Sequence, residues 1–500
     1  MNRENKLPST LNIFRVAASN LKMKKTVLFH VFLFFIFTIG AWGMSEAVDW
    51  PQFRGPNGSG ISGTTGLPHE FGPDKNVVWK TALPTGHSSP VLTEEFIFLT
   101  ACEGETLLTI CLDRQNGKII WQKEAPRPRI EKIDNRNNPA SPSPVTDGKQ
   151  VYVFFPDFGL LAYDLKGKEL WRLPQGPFNN LYGMGASPIL ADEKLILVCD
   201  QNTDSYILAV DKNSGQKVWR TERPEAKSGH STPITYSAKS GQTQILVPGS
   251  FLLTSYAART GEKIWWVGGL SFEMKSTPVV QDGVLFVNGY ATPLNQPGSQ
   301  VEIPAFTSAL EKFDKDGDKK LTTKELPEGP PYNWLEFIDY SGDGALDSEE
   351  WNYFEAALAS LNGMLAIRLG GNGDMSDRNV VWQHRRSVPQ LPSPLLYKNV
   401  LYMLNDGGAV TTFEPESGEV ITEGRIPRAG SHFFASPVAA DNKIFIISLR
   451  GIVTVIGPGG GLDLLAQNEL GEQCYATPAF AEGKIYLRTV NTLYCFGLQN

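Results

Sequence analysis

Two short acidic runs carry the plainest chemistry in this 500-residue sequence. Residues 314–325 read Asp-Lys-Asp-Gly-Asp-Lys-Lys-Leu-Thr-Thr-Lys-Glu. Calcium takes six to eight oxygens, and a twelve-residue loop can supply them from positions 1, 3, 5, 7, 9 and 12. Those positions fall on Asp314, Asp316, Asp318, the carbonyl of Lys320, Thr322 and the bidentate candidate Glu325. Residues 339–350 repeat the pattern with Asp339, Ser341, Asp343, the carbonyl of Ala345, Asp347 and Glu350. Position 6 needs a sharp turn that glycine makes cheaply. Gly344 occupies it in the second loop, but Lys319 occupies it in the first, which lowers the affinity expected there.

The flanks suit these loops. The segments 306–313 and 332–338 can enter them as helices. Residues 348–361 leave the second loop with Trp351, Phe354, Ala357 and Leu358 at helical spacing on one face. Pro327, Pro330 and Pro331 keep the helix after the first loop short. Leu321 and Leu346 hold position 8 of each loop, where two such loops pair. Loops and helices together resemble an EF-hand pair, which implies one or two Ca²⁺ ions and a structural role as the first expectation.

The elements that must hold this module follow from a repeat. A Ser/Thr-Pro pair preceding an apolar strand recurs at Ser89, Ser143, Ser187, Thr232, Thr277, Ser393, Ser436 and Thr477. Neighbours lie 41 to 54 residues apart, except for a gap of 116 between Thr277 and Ser393. Within each repeat come two more β-rich strands, a turn ending in Gly, and Trp four residues on, as in Gly117…Trp121, Gly167…Trp171, Gly215…Trp219 and Gly261…Trp265. Asn76…Trp79 and Asn379…Trp382 are variants, and Thr422 and Leu465 stand in for Trp in two repeats. Four strands per repeat, eight times over, predict an all-β, eight-bladed propeller of four-stranded antiparallel blades. The last repeat has only three strands, and residues 76–83 supply an orphan fourth that would close the ring. The propeller is assigned to 48–290 and 363–500, with a small helical insertion, 303–362, hung on a hairpin of blade five.

Just before the inner strands lie His87, His230, Lys275, His432 and Tyr475. They are expected to ring one mouth of the central channel, where a ligand or peptide could bind. No nucleophile elbow or phosphate-binding loop is present in the sequence.

These motifs resemble the PQQ-repeat superfamily, which includes BamB-type outer-membrane assembly propellers and quinoprotein alcohol and sugar dehydrogenases. The opening Asp49-Trp-Pro-Gln-Phe-Arg-Gly-Pro-Asn57…Gly60 is similar to the start of a BamB-like subgroup. The resemblance implies either a non-catalytic scaffold for envelope proteins or a PQQ-dependent dehydrogenase. The dehydrogenases typically carry adjacent cysteines over the cofactor. The five cysteines here, at 102, 111, 199, 474 and 495, include no adjacent pair. The scaffold is therefore the leading expectation, with no catalytic residues and no PQQ.

Charge and the N-terminal pattern bound the partners and the location. Lys and Arg number 46 against 53 Asp and Glu, a net charge of −7, which argues against nucleic acid as a partner. Residues 1–47 are read as a signal peptide or N-terminal anchor: Lys22, Lys24 and Lys25 precede an apolar run from Val27 to Trp42. Met23 opens a more typical signal, so residues 1–22 could lie upstream of the true start. The expected location is the periplasm or cell envelope, with membrane association through this segment and a monomeric propeller. Cys102 with Cys111, or Cys474 with Cys495, could bridge in that compartment.

Overall fold

A computed structural model describes residues 49–498 apart from 429 and 431. The expected signal segment, 1–47, lies outside the described residues. Eight antiparallel four-stranded sheets form the blades of a β-propeller. Blade one runs Val91–Leu92, Phe96–Glu103, Thr106–Asp113 and Ile119–Ala125. The inner strands of blades two to eight begin at Val145, Ile189, Ile234, Val279, Leu395, Val438 and Ala479. Second and third strands are almost wholly buried because blades stack on both of their faces, which explains runs such as LILVC and VYVFF. Outer strands alternate half-buried and exposed residues, since one face meets water.

The ring closes as the repeat requires. Val77–Ala82 pairs antiparallel with Thr492–Gly497, so the N-terminal strand completes blade eight. Closure leaves no blade incomplete, and only the outer edges of the sheets stay open.

Two repeated contacts join the blades. Near the axis, the N–H of each Ser or Thr donates to the hydroxyl of its counterpart in the next blade. The Ser89 N–H reaches Ser143 Oγ at 2.9 Å, Ser143 reaches Ser187 at 2.9 Å, and so on to Thr477, which returns to Ser89 at 3.0 Å. Seven of the eight junctions make this bond. The following proline has no N–H to satisfy in this crowded ring, and it holds the Ser or Thr extended. Further out, each repeat Trp lies on the turn glycine of the next blade and donates its indole N–H to that turn. Trp121 Nε1 bonds the Leu165 carbonyl at 2.9 Å, Trp171 that of Lys212 at 2.9 Å, and Trp219 that of Ala258 at 3.1 Å. A Cβ on Gly261 would lie 2.4 Å from the Trp219 ring. In blade seven the residue in register with Trp is Ala466, opposite Val455, one place beyond the expected Leu465.

The junction of blades four and five departs from both rules. The Thr277 hydroxyl is buried without a partner, and Trp265 bonds Gln244 of its own blade at 3.1 Å. Blade four also gains a fifth strand, because Gly373–Asp374 pairs in parallel with Trp265 and Trp266.

Residues 290–362 leave from the hairpin between Val284–Gly289 and Gly363–Arg368 of blade five. They carry helices Phe306–Phe313 and Ser348–Ala359, joined by shorter turns. Their core gathers Phe306, Leu321, Ile338, Leu346, Trp351, Phe354 and Leu358. Among the described residues no helix is long and apolar enough to cross a membrane.

Gly261 and Gly298 separate the cost of a strained backbone from that of lost packing. Both have positive φ, 74° and 81°, but nothing lies within 4 Å of a Cβ on Gly298. Gly298→Ala should cost roughly 1 kcal/mol, and Gly261→Ala roughly 2–4 kcal/mol because the Trp219 ring must also move. Urea unfolding of the two variants checks this; equal losses would contradict the packing role.

Candidate functional site

The two acidic runs form loops built alike. In the first, Glu325 accepts the N–H of Lys315 at 3.0 Å on one oxygen and that of Thr322 at 2.9 Å on the other. In the second, Glu350 accepts the N–H of Ser341 at 2.8 Å and that of Asp347 at 3.2 Å. Both glutamates are thus folded back over their loops from position 12. The Thr322 and Lys315 N–H groups hold Glu325 well below the usual carboxylate range, at about 2. At position 1, Asp314 accepts the N–H groups of Gly317 and Lys319, and Asp339 those of Gly342 and Gly344. Between the loops Leu321 pairs with Leu346 and Thr322 with Ala345, a two-stranded ribbon on the position-8 residues.

The loops differ in how their oxygens gather. Oxygens of Asp314, Asp316 and Glu325 lie within 4.8 Å of one another, the only such carboxylate group among the described residues. In the second loop Asp343 is engaged by the Lys320 ammonium, which reaches across from position 7 of the first. Asp318 accepts the Lys320 N–H at 2.8 Å. Asp347 instead caps the following helix through the N–H groups of Glu349 and Glu350. Lys319 adopts φ 66°, the left-handed conformation that Gly344 adopts at φ 86°.

The second candidate is a cavity of about 240 Å³ on the channel axis. Two rings of side chains line it. One is the Ser/Thr ring; the other lies two residues earlier in each blade and comprises His87, Ser141, Gly185, His230, Lys275, Leu391, Phe434 and Tyr475. His87, His230, Lys275 and Tyr475 therefore converge as expected. His432 does not: it is exposed and outside the lining. It precedes Ser436 by four residues, not two, and Phe434 holds its place in register. A count back from each Ser/Thr-Pro pair would have found the full ring.

The ring is uneven. His87 stacks on Tyr475 at 3.8 Å, and Phe434 meets Tyr475 edge-on at 5.0 Å, giving an aromatic wall. Opposite, Lys275 pairs with Glu273 at 2.6 Å. Burial, with the Arg488 charge behind it, pushes His87 down to about 4. Burial and Lys275 push His230 down to about 3. Both imidazoles are neutral at pH 7.

The floor of the cavity is Phe53, from the opening segment Asp49–Gly60, whose local pattern carries no sign of this position. Residues 50–62 cross the far end of the channel and bond to seven blades. Trp50 pairs with Leu92, Thr146 donates to Pro51, and Asn57 exchanges bonds with Thr235. Arg54 bonds the carbonyl of Thr277 at 3.5 Å and that of Pro394 at 2.7 Å. Gly60 and Ser62 bond Ala439, and the Ser62 hydroxyl donates to the Phe480 carbonyl. Arg54 is fully buried with no carboxylate partner, and burial lowers it to about 9. The channel is thus a blind cup.

All five cysteines are buried and free, so neither expected bridge forms.

Two variants test the site. Lys319→Gly relieves a left-handed lysine and should stabilise the insertion by about 1 kcal/mol; an unchanged unfolding midpoint would contradict the strain. The neutral buried histidines stabilise the fold fully above pH 6.5, and this stability is lost as pH falls toward 4, because the unfolded chain binds the protons first. Between pH 6.5 and 4.5, His87→Phe and His230→Phe should each remove roughly 2 kcal/mol of the wild-type loss. Parallel pH curves would contradict that placement.

Comparison with known proteins places the whole. A family model described as outer membrane protein assembly factor BamB matches residues 69–202, 203–322 and 369–500. The chain is 20% identical over 285 residues to outer membrane protein assembly factor BamB of Shewanella oneidensis. That match covers 54% of this chain and 64% of the relative, less than two thirds of its length. BamB from Moraxella catarrhalis superposes with a TM-score of 0.52 at 12% identity, covering 84% of this chain and 98% of that one. A europium-containing methanol dehydrogenase superposes at 0.54 and 10% identity, covering 90% and 98%. At such identities the superpositions speak for the fold alone. The family match spans most of the chain, and the protein belongs to the PQQ-repeat propeller family of outer membrane protein assembly factor BamB.

Proposed function

We propose that this protein is an exported, non-catalytic scaffold that holds envelope proteins on its propeller and binds calcium through its EF-hand pair. The observation that carries the calcium reading is that Glu325 and Glu350, each at position 12, both fold back onto the position-9 N–H of their loops, which are joined by the Leu321–Leu346 ribbon. Each loop offers oxygens at the spacing calcium needs: Asp314, Asp316, Asp318, Lys320, Thr322 and Glu325 in one, Asp339, Ser341, Asp343, Ala345, Asp347 and Glu350 in the other. Calcium at the second loop has to displace the Lys320 ammonium from Asp343. Extracellular modules of this kind bind at about 10⁻⁴–10⁻³ M, which suits an ion that stiffens rather than signals.

The scaffold reading draws on the family and on the outer strands. Ile119, Ile120, Val218, Val420, Ile421, Leu464 and Leu465 stand exposed at the starts of outer strands in four blades. The parallel pairing of Gly373–Asp374 with the outer strand of blade four, an added strand within the chain itself, supports strand addition as the mode of docking. The basic and apolar N-terminal pattern supports export to the periplasm or envelope.

The cavity does not fit a calcium-bound quinone. Its one lining carboxylate, Asp134, is held by Arg136 at 2.6 Å, and no acidic trio faces the axis. A PQQ dehydrogenase remains the reading to defeat: alcohol-dependent dye reduction after incubation with PQQ and Ca²⁺ would overturn the scaffold.

Calcium at 2 mM should stabilise the insertion by roughly 1–2 kcal/mol over chelator. Asp339→Ala with Glu350→Ala should remove most of that gain; identical melting curves in calcium and chelator would refute the metal site. For the partner surface, Ile120→Lys, Ile421→Lys and Leu465→Lys together should abolish co-purification with the host's outer-membrane assembly complex without lowering the melting temperature. Undiminished co-purification would place the partner elsewhere.

A further inference from the structure

The insertion does not stand clear of the propeller. Asn179 Nδ2 donates to the Tyr340 carbonyl at 2.9 Å, and Lys227 Nζ lies 3.6 Å from Glu349. Phe251 and Tyr353 meet ring to ring at 5.2 Å. Between the two parts remains a cleft of about 210 Å³, larger than the roughly 150 Å³ cavity that can take a benzene ring. Its walls are aromatic: Tyr182 and Phe272 from the propeller, and Trp334, Tyr340, Tyr353 and Phe354 from the insertion. Tyr182 also lines the channel cup, so the two spaces share a wall.

Three polar groups in this apolar cleft are incompletely used. The Ser228 hydroxyl is buried, with the residue only 7% exposed, and has no hydrogen-bond partner. Ser228 also holds φ 48°, a conformation unfavourable for a side-chain-bearing residue that persists where the surroundings impose it. The Tyr353 hydroxyl is likewise buried and has no well-formed hydrogen bond, only the Ser250 hydroxyl beside it, which is already committed to the Lys227 main chain. The Lys227 ammonium is 11% exposed and lies 5.8 and 6.0 Å from the Tyr340 and Tyr353 ring centres. Its one carboxylate neighbour, Glu349, is 80% exposed and screened by water. The acid lining the cleft, Glu273, is already paired with Lys275. The Lys227 ammonium is thus the more loosely paired of the two lining charges, and the spare hydroxyls can donate. Buried polar groups are normally satisfied, so groups left open in a cavity point to what the cavity takes.

We propose that this cleft binds an aromatic or branched apolar carboxylate, its ring or chain between the aromatic walls and its carboxylate on Lys227, Ser228 and Tyr353. The carboxylate would replace the weak Glu349 contact and satisfy both hydroxyls in one step. Two sources present this chemistry: a small free acid, or the C-terminal residue of a polypeptide. The site does not rest on calcium or on the scaffold role.

Titration of the full chain, followed by Trp334 emission and by calorimetry, tests it with four probes: 3-phenylpropionate, its amide, 2-phenylethylamine and the peptide Gly-Gly-Phe. The acid should saturate one site and bind at least tenfold tighter than the amide or the amine. Gly-Gly-Phe binding tighter than the acid would assign the polypeptide source, and the reverse order the free acid. Lys227→Met should weaken the acid at least tenfold. Tyr353→Phe keeps the ring and the fold and should weaken it threefold or more, with an unchanged melting temperature. Phe434→Ala, which alters only the channel cup, should leave binding unchanged. Absence of saturable binding, equal binding of the amine, or sensitivity to Phe434→Ala but not to Tyr353→Phe would each overturn the proposal.

Discussion

Everything in this molecule depends on closing a circle of eight similar sheets around an axis too crowded for ordinary pairing. The inner strands cannot hydrogen-bond to one another as a sheet, so at seven of the eight junctions the Ser or Thr main-chain N–H goes to the next blade's hydroxyl. The circle ends where it began: Thr477 bonds Ser89, and Arg488 reaches Ser88 at 2.7 Å and the Thr100 carbonyl at 2.6 Å. Burial without a carboxylate lowers Arg488 to about 9, and it remains charged at neutral pH because carbonyls and a hydroxyl surround it. Outside this ring the Trp-on-Gly contact sets the stagger between blades. The Ser-Pro and Gly-x-x-x-Trp motifs are therefore two radii of one closure device.

What does not repeat collects at one place. The junction of blades four and five lacks both the axial bond and the Trp contact. There the hairpin of blade five releases the insertion, Gly373–Asp374 braces blade four, and Arg54 and Asn57 of the plug make their bonds. The insertion thus leaves the ring where the repeat contacts are already relaxed, and it lies against loops of blades three and four beside the channel mouth.

The sequence made the ring legible because the repeat is imposed by closure: eight Ser/Thr-Pro pairs, a split last blade and an anomalous gap suffice for the blade count and the site of the insertion. The two acidic loops were legible as a pair because their carboxylates are local in sequence. Features that depend on distant contacts were not. That residues 50–62 would seal the channel follows from bonds to seven blades, none of which shares a local pattern with the segment. Placing His432 in the channel failed because proximity to a Ser-Pro pair is not register; alternation selects the residue two before it, and there blade seven has Phe434. Lys320 on Asp343 joins two loops whose pairing was foreseen but whose side-chain exchange was not. The docking of Tyr340, at position 2 of a loop read only for its oxygens, was equally hidden.

The central claim is that the insertion is a calcium module built into a sealed ring. A crystal structure of the full chain grown in millimolar calcium, with anomalous differences measured for the metal, tests it directly. The account predicts anomalous density within both loops, oxygens of residues 314–325 and 339–350 at about 2.3–2.6 Å from each ion, and the Lys320 ammonium withdrawn from Asp343. Loops without anomalous density, with Lys320 still on Asp343, would contradict it.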